Sequence, residues 1–298
     1  MFPIIFIHSR NNDYLPLSLW KARETNPNRE IILLGDGQNA HFSFLVRHEN
    51  ISKYRKRADA FREKFVNFST NPSDFERICL ERWLILEEFL LSQGLEKCLY
   101  LDSDVLLYDD IEIDARRFSA FGMTVAGISG HTNFISRVSA LSDFCLWIEA
   151  AYQSPESLRI LEEKYALFRQ THDAGGISDM TFFTEFREAR PDALLDIGQP
   201  ADGKLYDITI TYTKGLIAEG GIKKITWKQE APFVESTEKE SIEMRSLHFQ
   251  GESKKWMKQM ARIDSQTFEW IYNLNKVFIT FQKAWNKIGR MASQKGKS

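Results

Sequence analysis

The stretch that most constrains this chain is Cys98-Leu99-Tyr100-Leu101-Asp102-Ser103-Asp104-Val105-Leu106-Leu107, where apolar residues flank two carboxylates one residue apart. A run this apolar reads as a buried strand, covered on both faces as in a parallel sheet. An isolated buried carboxylate is expensive, so two at the end of such a strand call for a compensating cation. On an extended chain Asp102 and Asp104 point to the same side, and a turn at Ser103 would change that. Hard oxygen ligands of this kind suit Mg²⁺ or Mn²⁺ carrying a phosphate-bearing ligand. The plainer alternative is a strand that ends at a polar turn.

The flanking sequence predicts an α/β fold. A strand over residues 2–7, a helix over 15–24 stopped by Asn26-Pro27-Asn28, and a strand over 31–34 make a βαβ unit. Such a unit implies a parallel sheet with ligands at its carboxyl edge. His8, Arg10 and Asp36 fall at that edge and are candidates for reading a nucleobase and ribose. Lys53-Tyr54-Arg55-Lys56-Arg57 reads as a solvated charged face. Ser73-Asp74-Phe75-Glu76 reads as a capping box opening a helix to about residue 92. On it Arg77 and Arg82 stand among apolar positions, where a guanidinium fork could reach a diphosphate or its stem could cover the core.

Residues 125–128 read as another strand, followed by small and amide-bearing residues up to Asn133 that suit close approach of a polyol. Helices are expected over 141–152, 158–170 and 180–186, and strands over 205–212 and 225–228. Asp179 sits after a glycine hinge at the head of a helix, either as a functional carboxylate or as a cap. A second informative stretch is Leu247-His248-Phe249-Gln250-Gly251-Glu252-Ser253-Lys254-Lys255-Trp256. Histidine is a metal ligand, glycine lets a backbone N–H approach phosphate, and lysine neutralises phosphate charge. No Walker loop, Rossmann glycine fingerprint, HExxH or GxSxG motif competes with it.

Composition narrows the classes. A chain of 298 residues, 43% hydrophobic and 27% charged, fits one large α/β domain or two small ones. A net charge of −2 argues against a general nucleic-acid binder. The distant Cys79, Cys98 and Cys145 form neither a disulfide framework nor a metal-ligand spacing, which suggests a reducing compartment. The opening Met1-Phe2-Pro3-Ile4-Ile5-Phe6-Ile7-His8 lacks a basic n-region, so the expected location is cytoplasmic.

Taken in order, Arg77 and Arg82, the Asp-x-Asp strand, Asp179 and the His248-to-Trp256 element resemble glycosyltransferase family 8, the group of glycogenin and the lipopolysaccharide galactosyltransferases. The resemblance implies a GT-A fold, a Rossmann-like mixed sheet flanked by helices, over residues 1–256, with a helical, basic tail over 257–298. It implies a Mn²⁺- or Mg²⁺-dependent hexosyltransferase that takes a UDP-sugar to a glycan or lipid-linked acceptor with retention, as in polysaccharide or lipopolysaccharide biosynthesis. Asp102, Asp104 and His248 would hold the metal, with Ser103 beside the nucleotide. Gly251 and Lys254 would bind the diphosphate, Arg82 the phosphate or donor sugar, and Asp179 and Asn133 would take the catalytic positions near the sugar. The chain departs from the family pattern in three places: Lys255 replaces a proline, Met180 a glutamine, and Phe134-Ile135 a Ser-Gly pair.

Two other classes fit parts of the pattern. A non-catalytic sugar-nucleotide-binding protein would tolerate Met180. A haloacid-dehalogenase-type phosphohydrolase also places Asp-x-Asp after an apolar strand, but it wants Thr or Val where this chain has Leu106. Finally, residues 276–298 carry six Lys or Arg and no acid, with Val277, Phe278, Phe281, Trp285 and Ile288 at helical spacing. Such a helix suits peripheral contact with the inner face of an anionic membrane, or packing on the domain.

Overall fold

The computed structural model describes residues 2–264, 266–271, 273, 274, 277, 278 and 280. The apolar runs Ile-Ile-Phe-Ile and Ile-Ile-Leu-Leu form β1 (Ile4–Ile7) and β2 (Ile31–Gly35), paired in parallel with Ile4 opposite Ile31. α1 (Leu15–Thr25) connects them, with Pro16 in its first turn, where a missing N–H costs nothing. β3 (Arg47–Asn50) adds in parallel to β2. α2 (Lys56–Arg62) and α3 (Ser73–Ser92) then bring the chain to β4 (Cys98–Leu101), parallel to β1 with Phe6 opposite Leu101.

After a turn, β5 (Val105–Leu107) leaves for a second sheet. α4 (Glu112–Arg117) and β6 (Met123–Val125) lead to β7 (Thr132–Ile135), antiparallel to β4. The first sheet therefore runs β3-β2-β1-β4-β7. Its order reverses between the paired strands β1 and β4, whose onward connections leave in opposite directions, and in open α/β sheets the carboxyl ends at such a point frame a crevice.

Side-chain alternation puts helices on both faces of this sheet. Ile5, Ile32 and Tyr100 pack with Trp83 of α3, while Ile4, Phe6, Leu33, Leu99 and Leu101 pack with Leu15 and Leu19 of α1. α5 (Val138–Ala151), α6 (Pro155–Arg169) and α7 (Asp179–Ala189) complete the first layer. Phe183 of α7 meets Trp83 edge-on at 5.0 Å and stacks on Phe144 of α5 at 4.1 Å.

The remaining chain builds the second sheet and completes two separate two-stranded pairs. β8 (Leu194–Asp196) pairs with β6, and β9 (Lys204–Tyr206) lies parallel to a later strand. β10 (Ala218–Glu219) and β11 (Ile222–Lys223) form a small hairpin. β12 (Thr226–Lys228), β13 (Ala231–Glu235) and β14 (Ser241–His248) run antiparallel, and β14 pairs with β5 so that His248 stands opposite Val105. α8 (Met257–Ala261) buries Met257, Met260 and Ala261 against Leu106 and Leu247. No helix of the described residues is long and apolar enough to cross a membrane.

Several local expectations need correction. The apolar run 98–107 is two strands in two sheets, because the Asp102 N–H goes to the His131 carbonyl at 2.8 Å and the Val105 N–H to the Asp102 carbonyl at 3.1 Å. The strand expected over 125–128 ends at Val125, and the small and amide-bearing stretch that follows runs into a strand, Thr132–Ile135. The strand expected to reach residue 212 stops at Tyr206, where β9 parts from β14. Glu76 makes no capping box, since its carboxylate accepts from Ser69 Oγ at 2.8 Å and Asn71 Nδ2 at 2.7 Å.

The basic cluster at 53–57 is not a solvated face throughout. Arg57 pairs with Glu87 and, at 2.6 Å, with Glu149, and Arg55 reaches the buried Glu81 at 2.6 Å. Within the segment 276–298, only residues 277, 278 and 280 are described, so the proposed membrane helix lies outside the described residues.

Candidate metal and nucleotide site

The site forms where the two sheets meet. β4 delivers Asp102 at its carboxyl end, the turn delivers Asp104, and the β5–β14 register places His248 across the turn. A backbone bond from the Phe249 N–H to the Asp104 carbonyl, 3.0 Å, locks this alignment. One ligand atom each from Asp102, Asp104 and His248 can be chosen so that all lie within 4.8 Å of one another.

His248 is oriented for a cation. Its Nδ1 lies 2.7 Å from the Ile208 carbonyl, which can only accept, so Nδ1 carries the proton and Nε2 presents a lone pair. That Nε2 stands 3.6 Å from Asp104 Oδ1, two acceptors facing one another. An O, O, N donor set of this kind fits Mn²⁺, and with less affinity for the nitrogen Mg²⁺. The backbone N–H of His248 is held in turn by Asp207 Oδ2 at 3.0 Å, while Asp207 Oδ1 pairs with the buried Lys223 at 2.6 Å.

Two cations already lean on the carboxylates. Arg82 donates to both oxygens of Asp102, at 2.7 and 2.9 Å, and also reaches Asp179. Burial would raise the Asp102 carboxyl, but the Arg82 guanidinium and the Tyr100 hydroxyl, 2.6 Å away, outweigh it and hold the group below the usual carboxylate range. Lys254 Nζ lies 2.7 Å from Asp104 Oδ2 and 5.3 Å from the centre of the Tyr14 ring.

Asp179 is not the cap of α7. Ser178 and Thr181 form that capping box, which leaves the Asp179 carboxylate to Arg82 and to Trp83 Nε1 at 3.1 Å.

The crevice wall next to β1 is a loop held by amides. His8 Nδ1 lies 2.8 Å from Ser103 Oγ, and its Nε2 lies 3.0 Å from Asn12 Nδ2. Burial pushes the His8 imidazole down to about 4, against the pull of Asp104, Asp36 and Asp102, so the ring is neutral at neutral pH. Asp36 ties the loop together, its oxygens accepting the N–H groups of Arg10 and Gln38 at 2.7 and 2.8 Å. Arg10 itself has a left-handed backbone, φ 70°. Gly251 begins the turn Gly251–Trp256 at φ +59°, and space around it is open, so the backbone conformation and not crowding calls for glycine.

The structure thus gathers Asp102, Asp104, His248, Lys254, Arg82, Asp179, Ser103 and His8 into one contact network. Arg77 stays away, bound to Asp74 at 2.7 Å and Glu81 at 3.1 Å. Asn133 is fully buried on β7 opposite Tyr100, its Oδ1 accepting the Thr124 N–H at 3.2 Å and its Nδ2 without a partner among the described residues. Asn12, Tyr14, Asn39, His131 and Asp207 escaped the motif reading. They meet, in turn, the His8 ring, the Lys254 ammonium, the His8 and Arg10 carbonyls, the His248 ring and the His248 backbone, contacts that no sequence motif carries. A cavity of about 450 Å³ is walled by Asp207 and Ile208, but not by Asp102, Asp104 or His248.

No protein-family model matches this chain, and no curated protein sequence matches it. Among solved structures it is similar to the galactosyltransferase LgtC in complex with donor and acceptor sugar analogues, 10% identical with a TM-score of 0.44 over 91% of this chain and 95% of that one. It is similar also to the glycosyltransferase GlyE of Streptococcus pneumoniae TIGR4, 12% identical with a TM-score of 0.43 over 92% and 63%. The bifunctional glycosyltransferase WbbM follows at 12% and 0.38, over 91% and 51%. At TM-scores below 0.5 these likenesses assign neither a family nor a role to any residue.

Proposed function

We propose that this chain is a metal-dependent glycosyltransferase that moves a hexose from a UDP-sugar to a glycan or lipid-linked acceptor, with retention. The observation that carries the reading is the trio Asp102, Asp104 and His248 at the reversal of strand order, with His248 Nε2 turned toward Asp104 by the Ile208 carbonyl.

A divalent cation held there would act as a Lewis acid on the diphosphate leaving group. The chain's own residues do the rest. Lys254 gives up Asp104 and moves to the diphosphate, where a second positive charge stabilises the negative charge that develops on departure. The N–H groups of the turn opening at Gly251 approach the same phosphates. His8 and Ser103, with Arg10 and Asp36 beyond them, line the nucleoside side of the crevice. Arg82 orients Asp102 and Asp179, and Asp179 faces the donor sugar. Asn133 supports that wall from within the sheet.

The test is a panel of nucleotide sugars incubated with Mn²⁺, reading released nucleoside diphosphate with and without EDTA. Release that requires both a UDP-sugar and the metal is the expected result. Tight UDP binding with no release under any acceptor condition overturns the enzymatic reading and leaves a sugar-nucleotide-binding protein.

A further inference from the structure

The metal reading leaves one buried imidazole without a task. His131 has no solvent exposure, and its Nδ1 has no hydrogen-bond partner among the described residues. Buried polar atoms in that state are uncommon and call for a cause. His131 also touches two of the three residues of the trio, His248 and Asp102. Its ring stacks on that of His248, with centroids 3.8 Å apart and planes 16° from parallel. Its backbone carbonyl accepts the Asp102 N–H at 2.8 Å. Its Nε2 lies 2.8 Å from the carbonyl of Asp207, the residue whose carboxylate holds the His248 backbone.

We propose that His131 is a positioning residue for the metal ligands, its flat ring fixing the plane of the His248 imidazole while its backbone fixes Asp102. The inference rests on the metal reading above. An imidazole ligand must aim its lone pair along the metal bond, yet the ring torsion of histidine lies in a broad well. The bond from His248 Nδ1 to the Ile208 carbonyl fixes one edge of the ring and leaves it free to tilt about that bond. A second ring stacked face to face removes the tilt. The Asp207 carbonyl holds that second ring in turn, because a carbonyl can only accept and so puts the His131 proton on Nε2. An aliphatic side chain of the same volume would fill the space without presenting a flat surface. Groups that orient a ligand in this way typically change metal affinity by about 10- to 100-fold when removed.

The experiment is an electron paramagnetic resonance titration of the full chain with Mn²⁺ alone, with the nitrogen hyperfine coupling of the bound ion read by pulsed measurement. His131→Ala removes the ring, and His131→Phe keeps a stacked ring but cannot donate to Asp207. The expected result is an affinity about 10- to 100-fold weaker with an altered nitrogen coupling in His131→Ala, and near-wild-type values in His131→Phe. Should His131→Ala fail to fold, His131→Leu, which fills the space without a flat face, is expected to show the same loss. A folded His131→Ala or His131→Leu that binds Mn²⁺ as the wild type does overturns the proposal, as does a loss in His131→Phe equal to that in His131→Ala. Wild-type protein that takes up no Mn²⁺ overturns the metal reading itself, and this inference with it.

Discussion

Lys254 Nζ lies 2.7 Å from Asp104 Oδ2, on the carboxylate whose other oxygen faces His248 Nε2 at 3.6 Å. One carboxylate is thus shared between a resident ammonium and the place where a cation fits, and the two compete. Lys254→Ala is expected to tighten binding of Mn²⁺ alone by about two- to fivefold, the worth of a partly exposed ion pair. The same change is expected to weaken UDP binding in the presence of Mn²⁺ by about tenfold or more, because a charge-assisted bond to phosphate is lost. Calorimetry with Mn²⁺ first and UDP second reads both. Two shifts in the same direction would refute the competition.

Asp104→Asn keeps the shape of the side chain and removes one anionic ligand. Metal-dependent turnover is expected to fall on the order of 10³-fold, the scale of losing a Lewis acid at the leaving group. The folded state should persist, since the backbone bond from Phe249 to the Asp104 carbonyl does not involve the side chain. The check is nucleoside diphosphate release beside far-ultraviolet circular dichroism. Wild-type turnover that ignores EDTA contradicts the assignment.

Acid should loosen the crevice wall through His8. Burial holds this imidazole at about 4, whereas an unfolded chain titrates near the ordinary value of 6.5. Between those values the unfolded chain binds a proton that the folded chain refuses, so stability rises with pH and is lost as pH falls from 6.5 toward 4. The slope from this one group is at most about 1.4 kcal/mol per pH unit. His8→Gln can still bond to Ser103 and removes the titration. Urea midpoints measured at pH 7, 5.5 and 4.5 are expected to converge for the variant relative to the wild type. Parallel slopes for the two proteins would show that His8 is not the group.

The two ends of the site were legible from sequence for a simple reason. Asp102, Asp104, His248 and Lys254 carry unusual chemistry at or just beyond the ends of apolar strands, and apolar runs are what a sequence displays most clearly. The turn between β4 and β5 was less legible, because Leu-Asp-Ser-Asp-Val continues the strand pattern while the backbone bond from Asp102 to His131, 29 positions further along, ends it. Arg55 and Arg57 show the converse. Their local sequence looks like a solvated face, and only Glu81, Glu87 and Glu149, all distant in the chain, draw them inward. His131 and Asp207 stayed hidden since each acts on a residue of another strand through a ring face or a backbone group.

Asn39 is the last and least visible support. It is fully buried, and all its amide functions are used: Nδ2 donates to the His8 and Arg10 carbonyls at 2.8 Å each, and Oδ1 lies 2.9 Å from the Asp36 N–H and 2.9 Å from His48 Nε2. It therefore ties the ends of β1 and β2 together beside the crevice. Gly35 makes room for it, since a β-carbon there would fall 2.1 Å from Asn39 Oδ1 and 2.6 Å from His48 Nε2. Asn39→Ala strands several buried polar groups and is expected to cost about 2–4 kcal/mol in urea unfolding. Gly35→Ala is expected to act by expelling the same side chain, raising the KM for the UDP-sugar more than it lowers kcat. Because the two substitutions remove one interaction by two routes, the double variant should be at least about 1 kcal/mol less destabilised than the sum of the singles. Additive costs would mean that Gly35 matters for some reason other than Asn39, and that the amide does not hold the loop.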